Sequence, residues 1–243
     1  MDNDAFAHIV SHDLKGPLNG INSMVGFIVE DYYDRIDDAG REQLDLIQKL
    51  AARGVAMVDA LRDYSKVSRA AVEAVVLEPG MLAAQAMTAA ELRRGGQSTT
   101  ALRIAPGLPP VLGDPALLVM LFERLMTNAM LFNDKSERWI EVGHSDGGPA
   151  AEVPPDHAVL CVRDNGIGIP HNYKHLVFEM FQRLHGPDAF GGGVGAGLAI
   201  AQTIVNRHGG SMWVDSVEGQ GSAFYLTLPR FAAAHDSERP AGT

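Results

Sequence analysis

The sequence predicts an α plus α/β fold, in which a long antiparallel helical hairpin forms a dimeric four-helix bundle and an α/β sandwich domain follows. Three observations predict this organisation. Two long apolar seams with helical spacing come first, a short polar break separates them, and shorter elements of mixed type follow. The expected boundaries are 1–70 for the hairpin, 71–78 for a linker, 79–231 for the second domain and 232–243 for a disordered tail.

The hairpin prediction depends on two runs of apolar residues that recur every three to four positions. The polar stretch DYYDRIDDAG separates them, so the two helices are expected to fold back on each other. A lone hairpin buries only one face of each helix, and the simplest cover for the rest is a second copy, so we expect a homodimer. The seams comprise Phe6, Ile9, Val10, Leu14, Leu18, Ile21, Val25 and Ile28, then Leu44, Ile47, Leu50, Val55, Val58, Leu61 and Tyr64.

The region after the hairpin combines short helices and strands. Helices are predicted near 80–93, 114–132 and 196–208, and strands at ALRIA, WIEVGHS, HAVLCVRD, SMWVDS and SAFYLTLP. The interval 164–195 is rich in glycine and has little periodicity, so it is predicted to be loop and lid. Cys161 lies in a predicted strand, where a buried and inert thiol is expected.

Charge and hydropathy exclude several classes of function. A net charge of −10 argues against a nucleic-acid partner, because phosphate backbones bind to concentrated positive surfaces. No apolar run approaches the roughly 18 to 20 residues that a membrane span requires. The acidic N-terminus lacks the basic start of a signal peptide. We expect a cytoplasmic location with no membrane span in this chain, although a longer parent chain could be tethered.

Two glycine-rich segments are candidates for ligand binding. In DNGIGIP (164–170), an aspartate at the end of a strand precedes Gly166 and Gly168, although DNG also occurs as a simple hairpin turn. In FGGGVGAGLAIAQTIVNRHGG, glycines lead into an apolar helix whose free N–H groups could hold phosphate. No strand precedes this cluster, which excludes a dinucleotide-binding fingerprint. A flexible hinge remains the alternative.

A third candidate is the Asn128 amide in the helix DPALLVMLFERLMTNAMLFND. Leu117, Leu121 and Leu125 share one helical face with Asn128, so the amide points towards the apolar side and must find partners there. It could bind a metal or phosphate, or it could cap a neighbouring backbone group. Glu123 could act as a base, with a solvated helix carboxylate as the simpler interpretation.

Taken in order, these segments resemble two-component sensor histidine kinases, and most closely their phytochrome-like, PAS-coupled members. SHDLKGPL resembles the H box, TNA around Asn128 the N box, DNGIGI the first glycine box, FEMFQRLH (178–185) the box in the lid, and GVGAGLAI the second glycine box. The resemblance covers residues 4 to about 230. It implies that the second domain is an ATP-binding catalytic domain of the histidine kinase, gyrase and Hsp90 (Bergerat) type.

The resemblance also implies the chemistry. His12 would be the phosphoacceptor, and Asp13 would hydrogen-bond its other ring nitrogen and fix the tautomer. ATP and Mg²⁺ would be the cofactors, with Asn128 as the metal ligand. Phosphohistidine would pass its phosphate to an aspartate in the receiver domain of a response regulator. Asp164 would accept from the adenine amino group, Gly166 and Gly168 would admit the base, and Gly193, Gly195, Gly197 and Arg183 would lie beside the phosphates.

Two positions depart from the family pattern. The N box usually has an asparagine four residues before the metal-binding one and a lysine three residues after it, where this chain has Arg124 and Leu131. A charged contact contributes about 1.5 to 3 kcal/mol, roughly ten- to a hundredfold in affinity, so ATP binding could be weak unless Arg124 replaces the lost contact. The alternative function is therefore a catalytically degenerate histidine phosphotransfer or regulatory dimer.

Helix breakers beside His12 are explained by the same resemblance. Pro17 lacks the N–H that would bond to the carbonyl of Asp13, so the helix is expected to bend or loosen one turn after His12. Gly16 leaves little bulk where another domain would approach. The alternative for Pro17 is a kink that serves only the packing of the bundle. The first seam begins near Met1, so the sensory input domain is expected in a longer parent chain or a separate partner.

Overall fold

The computed structural model describes residues 3–93, 95, 99–145, 153–184, 186 and 193–232, with side chains described from Asp13 onward. The chain forms two compact units. The hairpin unit contains the residues up to Arg69 and the segment Glu179–Ala196, and the sheet unit contains Ala70–Phe178 and the residues from Gly197 onward. The tail predicted at 232–243 lies outside the described residues after Ala232.

The hairpin unit is built on two long helices. Helix α1 spans Asn3–Tyr32, a 3-10 turn covers Tyr33–Arg35, and helix α2 spans Asp38–Arg69. An ion pair joins Lys15 of α1 to Asp59 of α2. Leu18 packs on Gly54, where a Cβ atom would lie 3.0 Å from the Leu18 Cδ1. A residue further along α1 thus contacts a residue earlier in α2, so the helices are antiparallel, as predicted.

Little of the predicted seams is buried within one hairpin. Of the seam residues whose side chains are described, only Val25 is buried, and the half-buried ones are Leu18, Leu44, Val55, Val58 and Tyr64. The buried residues of α2, which are Ala51, Ala60 and Val67, lie outside the predicted seam. Leu14, Ile21 and Ile28 follow one another at intervals of seven residues, and their exposed fractions are 50%, 44% and 41%. Spacing of seven places them on one line along the helix. Exposed Ile47, Leu50 and Leu61 give α2 a comparable line.

Helix α1 continues through the breakers near His12. It is assigned as one helix from Asn3 to Tyr32 with Pro17 inside it. The missing N–H of Pro17 leaves the Asp13 carbonyl without its helical donor. A Cβ atom at Gly16 would have no neighbour among the described residues within 4 Å. Gly16 is therefore not required by packing within the described chain.

The sheet unit has a five-stranded mixed sheet in the order β2-β4-β5-β7-β6 and a small antiparallel pair, β1-β3. Only the β2–β4 pair is parallel in the larger sheet. The strands are β1 (Val75–Leu77), β2 (Ala101–Ile104), β3 (Val111–Gly113), β4 (Trp139–Ser145), β5 (His157–Asp164), β6 (Met212–Val217) and β7 (Gly221–Pro229). The helices are α3 (Pro79–Arg93), α4 (Pro115–Leu131) and α5 (Gly197–Arg207).

A helical layer packs on the larger sheet, which confirms the predicted sandwich. Helix α4 contacts α3, α5 and β5, and α5 also contacts β6 and β7. The interior between the layers is apolar, with fully buried Phe122 and Leu125 from α4 and Leu160 and Leu226 from the sheet. Cys161 is 2% exposed, so the prediction of a buried cysteine is confirmed. Burial raises the pKa of its thiol, which disfavours the reactive thiolate. Within the described residues, no helix is long and apolar enough to cross a membrane.

Strands β1 and β3 were not predicted, because three residues are too few to display a period. Strand β1 lies in the segment predicted as a linker, 71–78, and pairs with β3 from Val75↔Gly113 to Leu77↔Val111. The same segment is held at two further points. Arg207 donates to the carbonyl oxygen of Ala70, and the Glu73 amide donates to Asp114.

His208 joins the end of α5 to the beginning of α4. Its buried ring bonds through Nδ1 to the Ile204 carbonyl oxygen at 2.8 Å, while Nε2 accepts from the Asp114 amide at 3.0 Å. A carbonyl can only accept, so Nδ1 carries the proton and the neutral ring satisfies both contacts. Asp114 in turn caps α4 by accepting from the amides of Ala116 and Leu117.

We predict that His208→Ala lowers the free energy of unfolding of the sheet unit by about 2 to 4 kcal/mol, because it opens a cavity and leaves the Asp114 amide without an acceptor. His208→Gln should lose less, since its carbonyl oxygen can replace Nε2 as acceptor. Both tryptophans, Trp139 and Trp213, lie in this unit, so their fluorescence during urea unfolding reports its stability. Equal losses in the two variants would contradict the hydrogen-bond assignment.

Candidate nucleotide-binding site

Asn128 lies one turn before the end of α4, at the edge of the buried stripe. Leu117, Leu121 and Leu125 are buried, whereas Asn128 itself is half-buried. Its backbone carbonyl accepts from the Phe132 amide at 3.0 Å. Within the described part of the chain, its side-chain amide makes no hydrogen bond. The structure therefore does not use Asn128 as a backbone cap, and its oxygen is open to a ligand.

Asp164, the last residue of β5, is a buried carboxylate with one oxygen engaged. It is 9% exposed. Its Oδ1 accepts from the Gly166 amide at 2.8 Å and from the Ser222 amide at 3.3 Å. Burial raises the pKa of Asp164 to about 6, and the two backbone hydrogen bonds oppose that rise. Among the described residues Oδ2 has no donor, so it can accept from a ligand.

The two glycines after Asp164 are required by the backbone of the sheet unit itself. A Cβ atom at Gly166 would lie 2.3 Å from the carbonyl oxygen of Phe132. Gly168 has φ +71°, and its Cβ atom would lie 2.1 Å from the carbonyl oxygen of Val217. The sequence suggested that these glycines admit a base. The structure gives them a second reason, the close approach of two neighbouring segments.

Backbone hydrogen bonds link the end of α4, which carries Asn128, to the loop that follows Asp164. The Ile167 amide donates to the Phe132 carbonyl at 3.0 Å, so the end of α4 meets the loop after β5. Asn128 is bonded to Phe132, and Gly166, next to Ile167, is bonded to Asp164. The free amide and the free carboxylate oxygen are therefore held by one short chain of backbone contacts.

Polar side chains that are buried or half-buried fix this loop, and the sequence did not point to them. Asn133 donates to Asn165 at 2.9 Å, and Asn165 also bonds the Trp139 amide and the Glu137 carbonyl. On the other side, Ser216 accepts from the Ile169 amide at 2.8 Å. No motif or period marks these residues. Their role depends on which backbone groups the fold places opposite them.

The lid segment Glu179–Ala196 belongs to the hairpin unit and holds Arg183 and Gly195 together. The Phe181 amide donates to the Gly195 carbonyl at 2.8 Å, and Phe181 adopts a left-handed φ of 65°. A Cβ atom at Gly195 would lie 3.1 Å from the Arg183 Cγ. Arg183 also donates to the Gly186 carbonyl at 2.9 Å. Gly193 is exposed, and Gly197 opens α5 in the sheet unit.

The expectation of a solvated carboxylate at Glu123 is wrong. Glu123 is 8% exposed, and its Oε1 lies 2.5 Å from the Arg93 Nε of α3. The ion pair replaces the solvation that burial removes. Sequence alone could not reveal this pair, because Arg93 is 30 residues away and belongs to another helix. The pair leaves Glu123 with a structural contact to α3.

The predicted phosphoacceptor lies in the hairpin unit. His12 is in α1, but its side chain lies outside the described side chains, so the expected contact with Asp13 is not described. Asp13 is exposed. One turn further along α1, Lys15 forms the ion pair with Asp59, and Arg62 lies 3.8 Å from the same carboxylate.

Comparison with known families matches both parts of the chain. Residues 2–69 match the family described as His Kinase A (phospho-acceptor) domain. Residues 113–232 match the family described as histidine kinase-, DNA gyrase B-, and HSP90-like ATPase. The chain thus joins a phosphoacceptor hairpin to an ATPase-type domain, and together the two matches cover more than three quarters of it. These two domains in this order make the chain a two-component sensor histidine kinase core.

Curated relatives agree with this membership. Cyanobacterial phytochrome B from Nostoc is 40% identical over 93% of this chain, and the chain spans 29% of that protein. The sensor protein kinase WalK from Staphylococcus aureus is 28% identical over 92% of the chain, which spans 53% of that relative. The chain therefore covers about three tenths of the phytochrome and about half of WalK.

Solved structures share the fold. Full-length ShkA, solved in complex with AMPPNP, superimposes with a TM-score of 0.63 at 20% identity, over 93% of this chain and 46% of ShkA. The mycobacterial sensor histidine kinase MprB gives a TM-score of 0.52 at 26% identity, over 67% of this chain and all of the MprB chain. These likenesses confirm the predicted fold class.

The raised pKa of Asp164 predicts a pH-dependent stability. The carboxyl titrates near 3.8 in the unfolded chain and near 6 in the folded one, so folding favours the proton. The stabilising contribution of the protonated group is complete below pH 3.8 and is lost as pH rises through 6. Above that pH the buried charge costs about 3 kcal/mol.

Asp164→Asn should therefore raise the free energy of unfolding at pH 8 by up to about 3 kcal/mol and have little effect near pH 4. Its Oδ1 can still accept from Gly166 and Ser222. Tryptophan fluorescence during urea unfolding at the two pH values measures the difference. A constant difference between variant and wild type across this range would rule out the buried charge as its cause.

Proposed function

We propose that this chain transfers the terminal phosphate of ATP to His12 and then donates it to an aspartate in the receiver domain of a response regulator. One observation carries the proposal: the sheet unit holds a buried carboxylate, Asp164, and a half-buried amide, Asn128, whose ligand-binding atoms no described residue engages. A site with one anionic acceptor and one neutral oxygen ligand suits an adenine amino group and a metal-bound phosphate.

Asp164 selects the base. Its ionised Oδ2 accepts a hydrogen bond from the adenine amino group, while Oδ1 stays fixed by the amides of Gly166 and Ser222. Because both amides belong to the backbone, the carboxylate cannot swing away when the site is empty. Gly193, Gly195 and Gly197 provide backbone without bulk for the phosphates, and Arg183 adds positive charge in the lid.

Asn128 is the residue that would hold Mg²⁺ beside the phosphates. Its oxygen suits a hard cation, and the described residues contain no cluster of three His, Cys, Asp or Glu side chains able to hold a metal by themselves. A site with so few protein ligands fits an ion that phosphate oxygens and water also coordinate. The bound ion supplies charge that offsets the phosphates.

His12 is the nucleophile. A neutral ring nitrogen forms the new N–P bond, the bond between the terminal phosphorus and the bridging oxygen breaks, and that oxygen leaves with ADP. Asp13 bonds the other ring nitrogen and stabilises the positive charge that develops on the imidazole. In the second transfer the N–P bond breaks, and a carboxylate oxygen of the receiver aspartate takes the phosphoryl group.

Two further partners belong to this proposal. A second copy of the chain covers the exposed lines of α1 and α2, and a sensory input domain, in the same parent chain or in a separate one, controls the hairpin. The support is the exposed line of Leu14, Ile21 and Ile28, since a regular apolar line of this length is typical of a helix interface.

We predict that incubation with terminally labelled ATP and Mg²⁺ places acid-labile, base-stable label on the wild-type chain. His12→Ala should take no label, because the acceptor nitrogen is lost. Asn128→Ala should reduce labelling at least tenfold, because the metal ligand is lost. Autoradiography after acid and base treatment separates phosphohistidine from phosphoserine or phosphoaspartate.

His12→Ala also serves as the folding control, because its ATP affinity should remain that of the wild type. The kinase proposal fails if the wild type binds no ATP and takes no label, yet accepts phosphate from a phosphorylated receiver domain. That result would identify the degenerate phosphotransfer dimer instead.

We predict that the chain is a dimer of about twice its 26.0 kDa mass. Ile21→Asp should yield monomers, because it buries a charge in the seam. Met81→Asp is the matched control, since Met81 is 74% exposed in the sheet unit and should not affect assembly. Light scattering gives the masses. A monomeric wild type, or a dimer that survives Ile21→Asp, would contradict the proposed interface.

A further inference from the structure

We propose that Arg124 binds the phosphates of the nucleotide and supplies the positive charge that Leu131 does not provide. The inference deepens the proposed function, because it assigns a further residue to the same site, and it depends on that function. In that case this chain has not lost the positive charge of the family's lysine, because Arg124 provides it from another position.

The first observation is the helical position of Arg124. It precedes Asn128 by four residues on α4, so the two side chains lie on the same side of the helix, one turn apart. Its sequence neighbours Glu123 and Leu125 are buried, whereas Arg124 is half-exposed. The side chain therefore leaves the interior on the side of the helix that carries the free amide.

The second observation is the direction in which Arg124 extends. A Cβ atom on Gly197 would lie 4.0 Å from the Arg124 Cδ. Gly197 is the first residue of α5, and α5 follows directly on the second glycine-rich segment. The guanidinium lies beyond Cδ, so Arg124 brings its positive charge to the beginning of α5.

Charge favours an anion at this position. The first amides of α5 have no helical acceptor, and the helix dipole adds positive potential at the same end. A guanidinium beside them can bond two phosphate oxygens at once, which neither an asparagine at 124 nor the leucine at 131 can do. The neighbouring carboxylate of Glu123 is engaged by Arg93 of α3.

Nucleotides with different numbers of phosphates test this assignment. Arg124→Met removes the charge and keeps most of the aliphatic chain that faces Gly197. It should weaken the binding of ADP and ATP about ten- to a hundredfold and change adenosine affinity less than about twofold. The ADP and ATP affinities of Arg124→Lys should lie between those of Arg124→Met and the wild type. Titration calorimetry of the full chain with each ligand in the presence of Mg²⁺ measures these affinities.

Two further variants make the test specific. Arg230→Met makes the same change in net charge at an exposed position, and it should leave all three affinities unchanged. The double variant Arg124→Asn with Leu131→Lys restores the family pattern, and it should recover most of the ADP affinity lost in Arg124→Asn alone. Its recovery would show that the two positions supply the same charge.

The outcomes separate this inference from the proposed function. If adenosine and ADP affinities fall together in Arg124→Met, Arg124 has a structural role and the inference fails. It also fails if ADP affinity does not change. In both cases the proposed nucleotide site still stands if the wild type binds adenosine and ATP. A wild type that binds neither ligand would instead overturn the proposed function itself.

Discussion

The burial of the Asp164 carboxylate is the constraint on which the rest of the sheet unit depends. Removing a charge from water is unfavourable unless hydrogen bonds replace the water. Two backbone amides, of Gly166 and Ser222, supply part of this replacement on Oδ1. The two hydrogen bonds do not replace all of the lost solvation, so the pKa of Asp164 is raised to about 6. A ligand that donates a hydrogen bond to Oδ2 stabilises the buried carboxylate. The site therefore favours a base with an amino group at that position.

This arrangement requires a loop that cannot move. Gly166 and Gly168 allow the loop to contact the carbonyls of Phe132 and Val217 directly, and Asn133, Asn165 and Ser216 satisfy its polar groups. The same contacts fix the end of α4, where Asn128 lies. At the other end of α4, His208 and Asp114 connect its first turn to α5. Helix α4 is thus held by polar contacts at both ends, to α5 at its first turn and to the loop after β5 at its last.

Sequence reasoning succeeded where one segment determines its own structure. The seams of α1 and α2 and the alternation in β4 are periodic, and β5 and β7 are short, largely buried apolar runs, so these elements could be predicted without knowing their neighbours. It failed where the answer depends on a distant segment. Strands β1 and β3 are too short to show a period, Glu123 is buried because Arg93 reaches it from another helix, and the Asn133–Asn165 contact joins two loops. The proximity of Arg124 to Gly197 is of the same kind, since 72 residues separate them in the sequence.

The most direct measurement of the central claim is the titration of the Asp164 carboxyl carbon by nuclear magnetic resonance, with and without adenosine. The account predicts a pKa near 6 in the free protein. It also predicts a clear fall when adenosine binds, because a donor on Oδ2 favours the ionised form. An ordinary pKa near 3.8 in the free protein, or a pKa that adenosine leaves unchanged, would contradict the role assigned to Asp164.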